Sequence, residues 1–461
     1  MIAPSKRDSI QIKTIGTVMN DETEKRITRK IFLRLLPLLV MLYIISYLDR
    51  VNVGFAALTM NADIGLSAAI YGLGAGLFFV GYCLFEVPSN LLMTKVGARR
   101  WIARILFTWG LIATCMAFVE GPKSFLAMRF LLGVAEAGFF PAVILYLTYW
   151  FPARYRARII STFMLSIPIA LAIGAPISTA LLSMDGILGL KGWQWLFIIE
   201  GIPGVLLVGV VLKYLPDSPK QAAWLSDEER AWLSDELEKD IKAQPPKLDE
   251  KASIWRVFRE PAVLALCAIY FCATATNLGL SMFMPQIIKQ QGFAGMEIGF
   301  IAALPYIVGC LGMVGIGYLS DRFNKRKIFL ALSLLLIVCG LGTAGLMANS
   351  TLAIVAMCVA TIGIMGCKGP FWPLPSLYLS GTSAAAGIAL INSVGNLGGF
   401  FGPGIVGLAK EVYGNFESGL FALSAMALFA VVITCIFVSD QGRTKRKSDS
   451  GVCSEKVNVP S

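Results

Sequence analysis

The segment YIISYLDRVNVGFAAL, Tyr43–Leu58, lies inside an otherwise apolar run of 28 residues that extends from Leu35 to Ala62. About 20 apolar residues are enough to cross the hydrocarbon core of a bilayer, so this run has the length of a membrane-spanning helix. Asp49 and Arg50 lie near its middle. Because a charge at the centre of such a helix costs about 2.5–3.5 kcal/mol to insert, both side chains need a reason to be there.

The composition of the whole chain agrees with a membrane location. Of the 461 residues, 56% are hydrophobic and 15% are charged, and the mean hydropathy is +0.70. Soluble domains are usually about 45–50% apolar and about 25% charged. The sequence therefore predicts an all-α polytopic membrane protein.

Apolar segments of spanning length recur along the chain. The first is expected to remain as an uncleaved helix, because no small-x-small cleavage site ends it. We expect twelve transmembrane helices, at 33–60, 68–93, 101–119, 124–149, 159–183, 193–213, 260–284, 297–319, 328–348, 352–379, 383–409 and 418–439.

The basic residues predict the orientation. With the N-terminus placed in the cytoplasm, 32 of the 40 lysines and arginines fall on the cytoplasmic side. Such an asymmetry in short loops sets orientation, so both termini are expected to be cytoplasmic. The net charge of +11 then indicates contact with anionic lipid rather than nucleic acid.

A long polar loop divides the predicted helices into two groups of six. The loop contains WLSDEERAWLSDELEKD, in which Ser226 and Glu229 have the spacing of a capping box. This predicts an amphipathic helix along the cytoplasmic face, and a solvated linker helix without a binding role is the alternative. We expect five regions: an N-terminal cytoplasmic segment at 1–32, a six-helix bundle at 33–213, a central cytoplasmic loop at 214–259, a second six-helix bundle at 260–439 and a cytoplasmic tail at 440–461.

The two halves repeat. GYLSDRFNKRK, Gly317–Lys327, aligns with NLLMTKVGARR, Asn90–Arg100, at an offset of 227 residues. The same offset places Arg50 opposite Asn277. Two six-helix halves related by a parallel repeat are typical of a rocking transporter that binds its substrate between the halves.

The loop GYLSDRFNKRK resembles the G-x-x-x-D-R-x-x-x-R-K motif of the major facilitator superfamily. The first-half copy departs from it, since Asn, Thr and Lys replace the Gly and the Asp-Arg pair. The resemblance therefore implies that the second-half loop forms the gate, with Asp321, Arg322 and Arg326.

Four further stretches resemble the anion:cation symporter branch of that superfamily: YLDRVNVGFA, GYCLFEVPSNLLM, RFLLGVAEAGFFPAVILYLTYWFPARYRAR and WQWLFIIEGIPG. Within this branch the chain is most similar to permeases for tartrate, phthalate and hydroxyphenylacetate. The resemblance implies a proton-coupled symporter of the bacterial inner membrane. It implies that Arg50 and Arg129 bind the substrate carboxylate and that Asp49 and Glu136 carry protons.

The intramembrane charges support the same mechanism without the resemblance. Arg129 and Glu136 are seven residues apart and share one helical face, and Asp49 and Arg50 come from the first helix. Paired across a cavity, the four charges sum to zero. A carboxylate can take a proton whereas arginine stays charged, so protonation would free a guanidinium for an anion. Structural ion pairs that lock the two helices together are the alternative.

Lys368, in MGCKGPFWPLP, is another charge deep in a predicted span. It would bind a second acidic group, which favours a dicarboxylate. A lysine that snorkels to an interface, or that pairs with a helix carbonyl end, is equally consistent with the sequence. The prolines that follow predict a broken helix lining a cavity.

Other polar or aromatic residues within spans are candidates for the site. Asn392 and Asn396 share a face and would bind substrate hydroxyls or bridge helices, and Trp372 would line the cavity or pack in the core. Glu86 is expected to act in gating or packing, and Glu200 has no assigned role. The remaining candidates for substrate contact are Tyr47, Tyr82 and Asn277.

The sequence argues against other classes of function. It contains no histidine, and its ten cysteines lie mainly in apolar segments, as small buried hydrophobes do. We expect no enzyme activity, no metal and no cofactor. The expected partners are a small organic anion, protons and membrane lipid, and the protein is expected to be a monomer. A sugar-acid symporter and an uncoupled sugar facilitator are the alternatives, and sodium could replace the proton; paired arginines argue against cationic drugs.

Overall fold

The structure, a computed structural model, describes residues 21–242, 260–347, 350–379 and 382–440. Within these ranges the chain is helical and contains no strand. The predicted N-terminal segment before residue 21, the end of the central loop and the tail after residue 440 lie outside the described residues.

The helices of the first half are α1 Asp21–Val51, α2 Val53–Asp63, α3 Ala68–Val96, α4 Ala98–Cys115, α5 Pro122–Glu136, α6 Phe139–Thr148, α7 Ala153–Met164, α8 Ser166–Leu182 and α9 Gly192–Tyr214. The linker helix is α10 Asp227–Lys242. The helices of the second half are α11 Pro261–Gln290, α12 Met296–Phe323, α13 Arg326–Leu346, α14 Leu352–Gly366, α15 Lys368–Phe371, α16 Pro375–Tyr378, α17 Thr382–Tyr413 and α18 Glu417–Phe437.

Each of the twelve predicted segments coincides with helical structure. Within the described ranges, eleven helical stretches are long and apolar enough to cross a membrane. The remaining predicted segment, 383–409, lies within α17, which has 32 residues.

Several spans are interrupted near their middle, which the apolar pattern does not reveal. The first span is locally irregular at Asn52, between α1 and α2, although the Asn52 backbone itself stays helical, and the tenth breaks into α14, α15 and α16, as its prolines predict. The fourth span breaks between α5 and α6 at Gly138, whose φ is +84°. A Cβ there would also lie 2.5 Å from the Ser89 hydroxyl, so glycine alone fits this break.

The two halves are in close contact at the end of the bundle that lies away from α10. A Cβ on Gly72 of α3 would lie 2.5 Å from the Pro403 carbonyl oxygen of α17, so these helices touch through their backbones. The Tyr71 hydroxyl donates to the Met282 carbonyl at 2.8 Å, and Lys289 donates to the Leu58 carbonyl at 2.9 Å. Since the basic loops predict that α10 is cytoplasmic, this closed end is expected to face outward.

In each half, an aspartate that follows the last helix caps the start of the third span. Asp217 accepts a hydrogen bond from the backbone N–H of Arg99, the second residue of α4, at 2.8 Å. Asp440 accepts one from the N–H of Lys327, the second residue of α13, at 2.7 Å. Each aspartate stabilises unpaired N–H groups at a helix start, and the pair shows the internal repeat in the structure.

The linker helix α10 begins with the predicted capping box. The Glu229 carboxylate accepts from the Ser226 N–H at 2.9 Å, and the Ser226 hydroxyl accepts from the Glu229 N–H at 3.2 Å. Lys30 of α1 also pairs with Glu229 at 2.6 Å. Arg154, just inside α7, pairs with Glu236 at 3.2 Å, so α10 is held against the first half.

Candidate functional site

A cavity of about 100 Å³ lies between the two halves. Its walls include both aromatic and polar side chains, and it is lined from each half. Eight of the nine predicted substrate-binding residues line it: Tyr47, Arg50, Tyr82, Asn277, Lys368, Trp372, Asn392 and Asn396.

Arg50 enters the cavity from the last turn of α1, directly before the irregular turn at Asn52. Its guanidinium forms an ion pair with Glu136, the last residue of α5. The Ser46 hydroxyl donates to the same Glu136 oxygen at 2.7 Å, which helps to satisfy a fully buried carboxylate. Arg50 Cζ also lies 5.3 Å from the ring centroid of Tyr82, a distance at which cation–π attraction contributes.

Arg129 is placed differently from the expectation. It is fully buried within α5 and does not line the cavity. Its guanidinium donates to the carbonyls of Gly74 at 3.3 Å and Ala75 at 3.4 Å, on α3. In this conformation it therefore binds backbone rather than facing the cavity, and a role in substrate binding stays a prediction.

Asp49 also departs from the expected four-charge cluster. Successive helical residues point about 100° apart, so Asp49 faces the interior of the first half while its neighbour Arg50 faces the cavity. Asp49 is 1% exposed, and the amide of Asn52 lies 3.4 Å from its Oδ1. Of the expected pairs, the structure forms the one between Arg50 and Glu136.

Lys368 lines the cavity from the second half, at the start of α15. Its Nζ contacts the sulfur of Met365 at 3.6 Å. Within the described residues, no carboxylate lies within ion-pair distance of Lys368. Its position on the cavity wall disfavours the alternative of a lysine that snorkels to an interface. The Lys368 ammonium group can therefore pair with an anion in the cavity.

Trp372 stands on the cavity wall and also packs against Tyr270, with ring centroids 5.1 Å apart. Tyr270 and Thr274 line the cavity as well, and the sequence interpretation missed both. They precede Asn277 by seven and three residues, so they share its face of α11. That helical spacing is the signal that could have identified them.

Asn392 joins the halves at the level of the cavity. Its amide donates to the Glu86 carboxylate of α3 at 3.0 Å. Glu86 itself is 5% exposed and does not line the cavity. Asn392 therefore bridges helices in this conformation, and both it and Asn396 remain on the cavity surface.

The predicted gate residues lie at the end of α12 and the start of α13. Asp321 and Arg322 are exposed, and Arg326 is half-buried. Within the described part of the chain, their side chains form no ion pair, so their role in gating stays a prediction.

Two helical halves that enclose a polar cavity between them are typical of a membrane transporter. Residues 39–403 match the Major Facilitator Superfamily. A protein of Agrobacterium vitis named "Putative tartrate transporter" is 47% identical over 91% of this chain and 96% of its own length. A "Quinolone resistance transporter" of Acinetobacter baumannii is 46% identical over 92% of this chain and 98% of its own length.

The solved structures agree in fold. The xylose transporter XylE from E. coli, in an inward open conformation, has a TM-score of 0.71 at 14% identity, covering 89% of this chain and 96% of that chain. The chain belongs to the Major Facilitator Superfamily. The predicted fold of two six-helix bundles is confirmed. The protein is a multi-pass membrane transporter of a small molecule and not an enzyme.

Proposed function

We propose that the protein is a proton-coupled symporter that takes up a small organic anion with two acidic groups, such as tartrate or another hydroxydicarboxylate. The observation that carries this proposal is that Arg50 and Lys368 line one cavity from opposite halves. Two cations across a small cavity suit a substrate with a carboxylate at each end. The name of the Agrobacterium vitis relative supports the same substrate class.

Proton coupling follows from the ion pair at Arg50. The guanidinium stays charged at all relevant pH values, whereas Glu136 can be protonated. A proton on Glu136 neutralises its charge and frees Arg50 to bind a substrate carboxylate through two N–H groups. When the substrate leaves, Arg50 attracts a negative partner again, which favours release of the proton.

The polar wall would recognise the remainder of the substrate. Asn277 and Asn396 present amides to the cavity, and Tyr47 and Tyr82 present rings with hydroxyl groups. Amides both donate and accept, so they suit the hydroxyls of a sugar acid or of tartrate. The proposed location is the bacterial inner membrane, with cytoplasmic termini and a monomer as the transport unit.

The aromatic wall favours a second candidate, transport of an aromatic carboxylate. Tyr43, Tyr47, Tyr82, Tyr270 and Trp372 all line the cavity. A relative of similar identity is named a quinolone resistance transporter, and quinolones are aromatic carboxylates. In this case Arg50 would bind the carboxylate and the rings would stack on the drug or aromatic acid.

The deciding experiment is uptake into proteoliposomes under an imposed pH gradient. The panel contains tartrate, phthalate, 4-hydroxyphenylacetate, gluconate, a fluoroquinolone and an uncharged sugar, with protein-free liposomes as the blank. We expect uptake of tartrate or phthalate that a protonophore abolishes. Uptake of the sugar alone, or anion uptake that is insensitive to the protonophore, would overturn the proposal.

A further inference from the structure

A second group of buried carboxyls lies inside the first half, outside the cavity. Asp49 of α1 and Glu200 of α9 are 1% and 6% exposed. They lie close enough for Glu200 to act electrostatically on Asp49. The helices that carry them are in contact, and neither residue lines the cavity.

The polar side chains around this pair come from α8, from α4 and from the junction between α1 and α2. The Ser178 hydroxyl of α8 donates to Glu200 Oε1 at 2.8 Å, and the Asn52 amide lies 3.4 Å from Asp49 Oδ1. The indole N–H of Trp109, on α4, lies near Asp49 but makes no hydrogen bond within the described residues. Trp109 is fully buried.

The pair lacks a counter-charge. Within the described residues, no lysine or arginine lies within ion-pair distance of either carboxyl. The nearest cation along the chain, Arg50, is paired with Glu136, and Glu136 adds a further negative charge that acts on Asp49. One oxygen of each carboxyl, Asp49 Oδ2 and Glu200 Oε2, is buried and accepts no hydrogen bond from the described residues.

Two neighbouring carboxyls in a buried site do not both ionise, because each charge is costly to bury and each repels the other. The protonation equilibrium of such a pair is therefore a property of both carboxyls together and not of either residue alone. A protonated carboxyl also supplies the donor that the unpaired oxygen of its neighbour requires.

We propose that Asp49 and Glu200 share one of the protons that the transporter carries. This inference rests on the proposed proton-coupled function and assigns Glu200 a part in it. A proton shared between the two carboxyls would hydrogen-bond the acceptor oxygens that are otherwise unpaired, Asp49 Oδ2 and Glu200 Oε2.

The location of the pair links it to the cavity. Asp49 is adjacent to Arg50, and both lie in the last turn of α1, just before the irregular turn at Asn52. Loss of the shared proton would leave two negative charges in a dry site, so release requires that water reach the pair. A movement of the C-terminal end of α1 away from α9 would admit that water and displace Arg50 at the same time.

The test is the pH dependence of anion uptake by the Glu200→Gln protein in proteoliposomes. Glutamine removes one negative charge, so the remaining carboxyl holds its proton less tightly. We expect the pH of half-maximal uptake to fall by about one unit or more, a tenfold higher proton concentration. Asp49→Asn removes the same repulsion from the other side and should move the midpoint in the same direction.

Substrate exchange at equal pH serves as the measure of folding, and Glu200→Asp, which keeps a carboxyl, should restore the midpoint toward that of the unmodified protein. A midpoint that is unchanged in both Glu200→Gln and Asp49→Asn, with exchange intact, would overturn the inference. If one variant does not catalyse substrate exchange, the pH midpoint of the other variant is the deciding measurement. Failure of the unmodified protein to couple uptake to protons would instead overturn the proposed function.

Discussion

Arg50 and Arg129 lie against the same aromatic ring, since their Cζ atoms are 5.3 Å and 5.1 Å from the ring centroid of Phe78. Only one of these two arginines lines the cavity in the described conformation, and that is Arg50. Phe78 therefore stabilises both guanidiniums, while their polar partners differ: a carboxylate for Arg50 and two backbone carbonyls for Arg129. The two residues should respond differently to the same substitution.

Arg50→Lys should raise the Kd of every transported carboxylate by about tenfold, because lysine lacks the bidentate geometry. Arg129→Lys should lower the thermal midpoint, since a single ammonium group does not reproduce the two contacts to α3, and should change the Kd less. Equilibrium binding and thermal unfolding in detergent measure the two effects. An equal rise in Kd for both variants would show that Arg129 also binds the substrate, as the family resemblance implies.

Lys368→Met should discriminate between substrates by their charge. The substitution removes the cation on the second-half wall, so dicarboxylates should lose about tenfold to hundredfold in affinity and monocarboxylates should change little. Competition against a labelled substrate gives both values. Lys410→Met, the same change at the far end of α17, is the matched control. An equal loss for both substrate classes would show that Lys368 does not bind the second carboxylate.

The charges in the membrane were predictable in number but only partly in arrangement. Polar groups in spans need partners, and that rule made Asn277, Asn392 and Lys368 candidates; the structure places all three on the cavity wall, where Asn392 also bridges to Glu86. The direction of Asp49 was not predictable, because it depends on the packing of α1 against α9. No pattern within the first span indicates that its carboxylate faces Glu200, 151 residues away.

The helix interruptions were only partly predictable, since Pro88, Pro203 and Pro403 lie inside unbroken helices. The prolines after Lys368 predicted the interruption of the tenth span, whereas Asn52 and Gly138 do not interrupt the apolar pattern. Both members of the central ion pair lie beside these positions, Arg50 before the irregular turn at Asn52 and Glu136 before the break at Gly138. The internal repeat, by contrast, could have predicted one more feature. Asp217 and Asp440 each follow the last helix of their half by three residues, so their equivalent positions are visible in the sequence.

Glu136→Gln should uncouple the transporter. Glutamine does not ionise, so Arg50 keeps no charged partner on α5 and the site no longer releases a proton with the substrate. Net uptake driven by a pH gradient should fall to the level of protein-free liposomes, while substrate exchange persists. Glu297→Gln, which neutralises an exposed carboxylate at the start of α12, should leave both assays unchanged. Uptake by the Glu136→Gln protein at the rate of the unmodified protein would show that Glu136 does not carry the coupled proton.

The contact between Glu229 and Lys30 should make the docking of α10 depend on pH. Burial acts to raise the pKa of Glu229, but the hydrogen bonds from Lys30 and from the Ser226 backbone outweigh it and hold the pKa below its ordinary value. A lowered pKa means that the contribution to stability is present above the ordinary value of about 4.3 and is lost as the pH falls through the lowered value.

Glu229→Gln keeps an oxygen for the capping box but loses the charge that pairs with Lys30, so it should destabilise the protein by about 0.5–1 kcal/mol near pH 7. The difference from the unmodified protein should shrink as the pH falls below about 4.3 and through the lowered pKa. Thermal unfolding in detergent between pH 3.5 and 7.5 measures this difference. Glu228→Gln is the matched control, because Glu228 lies in the same first turn but is exposed, so it tests the helix dipole alone. A loss of stability that is equal in both variants, or that persists unchanged in acid, would mean that the contacts of Glu229 with Lys30 and Ser226 do not hold α10 to the first half.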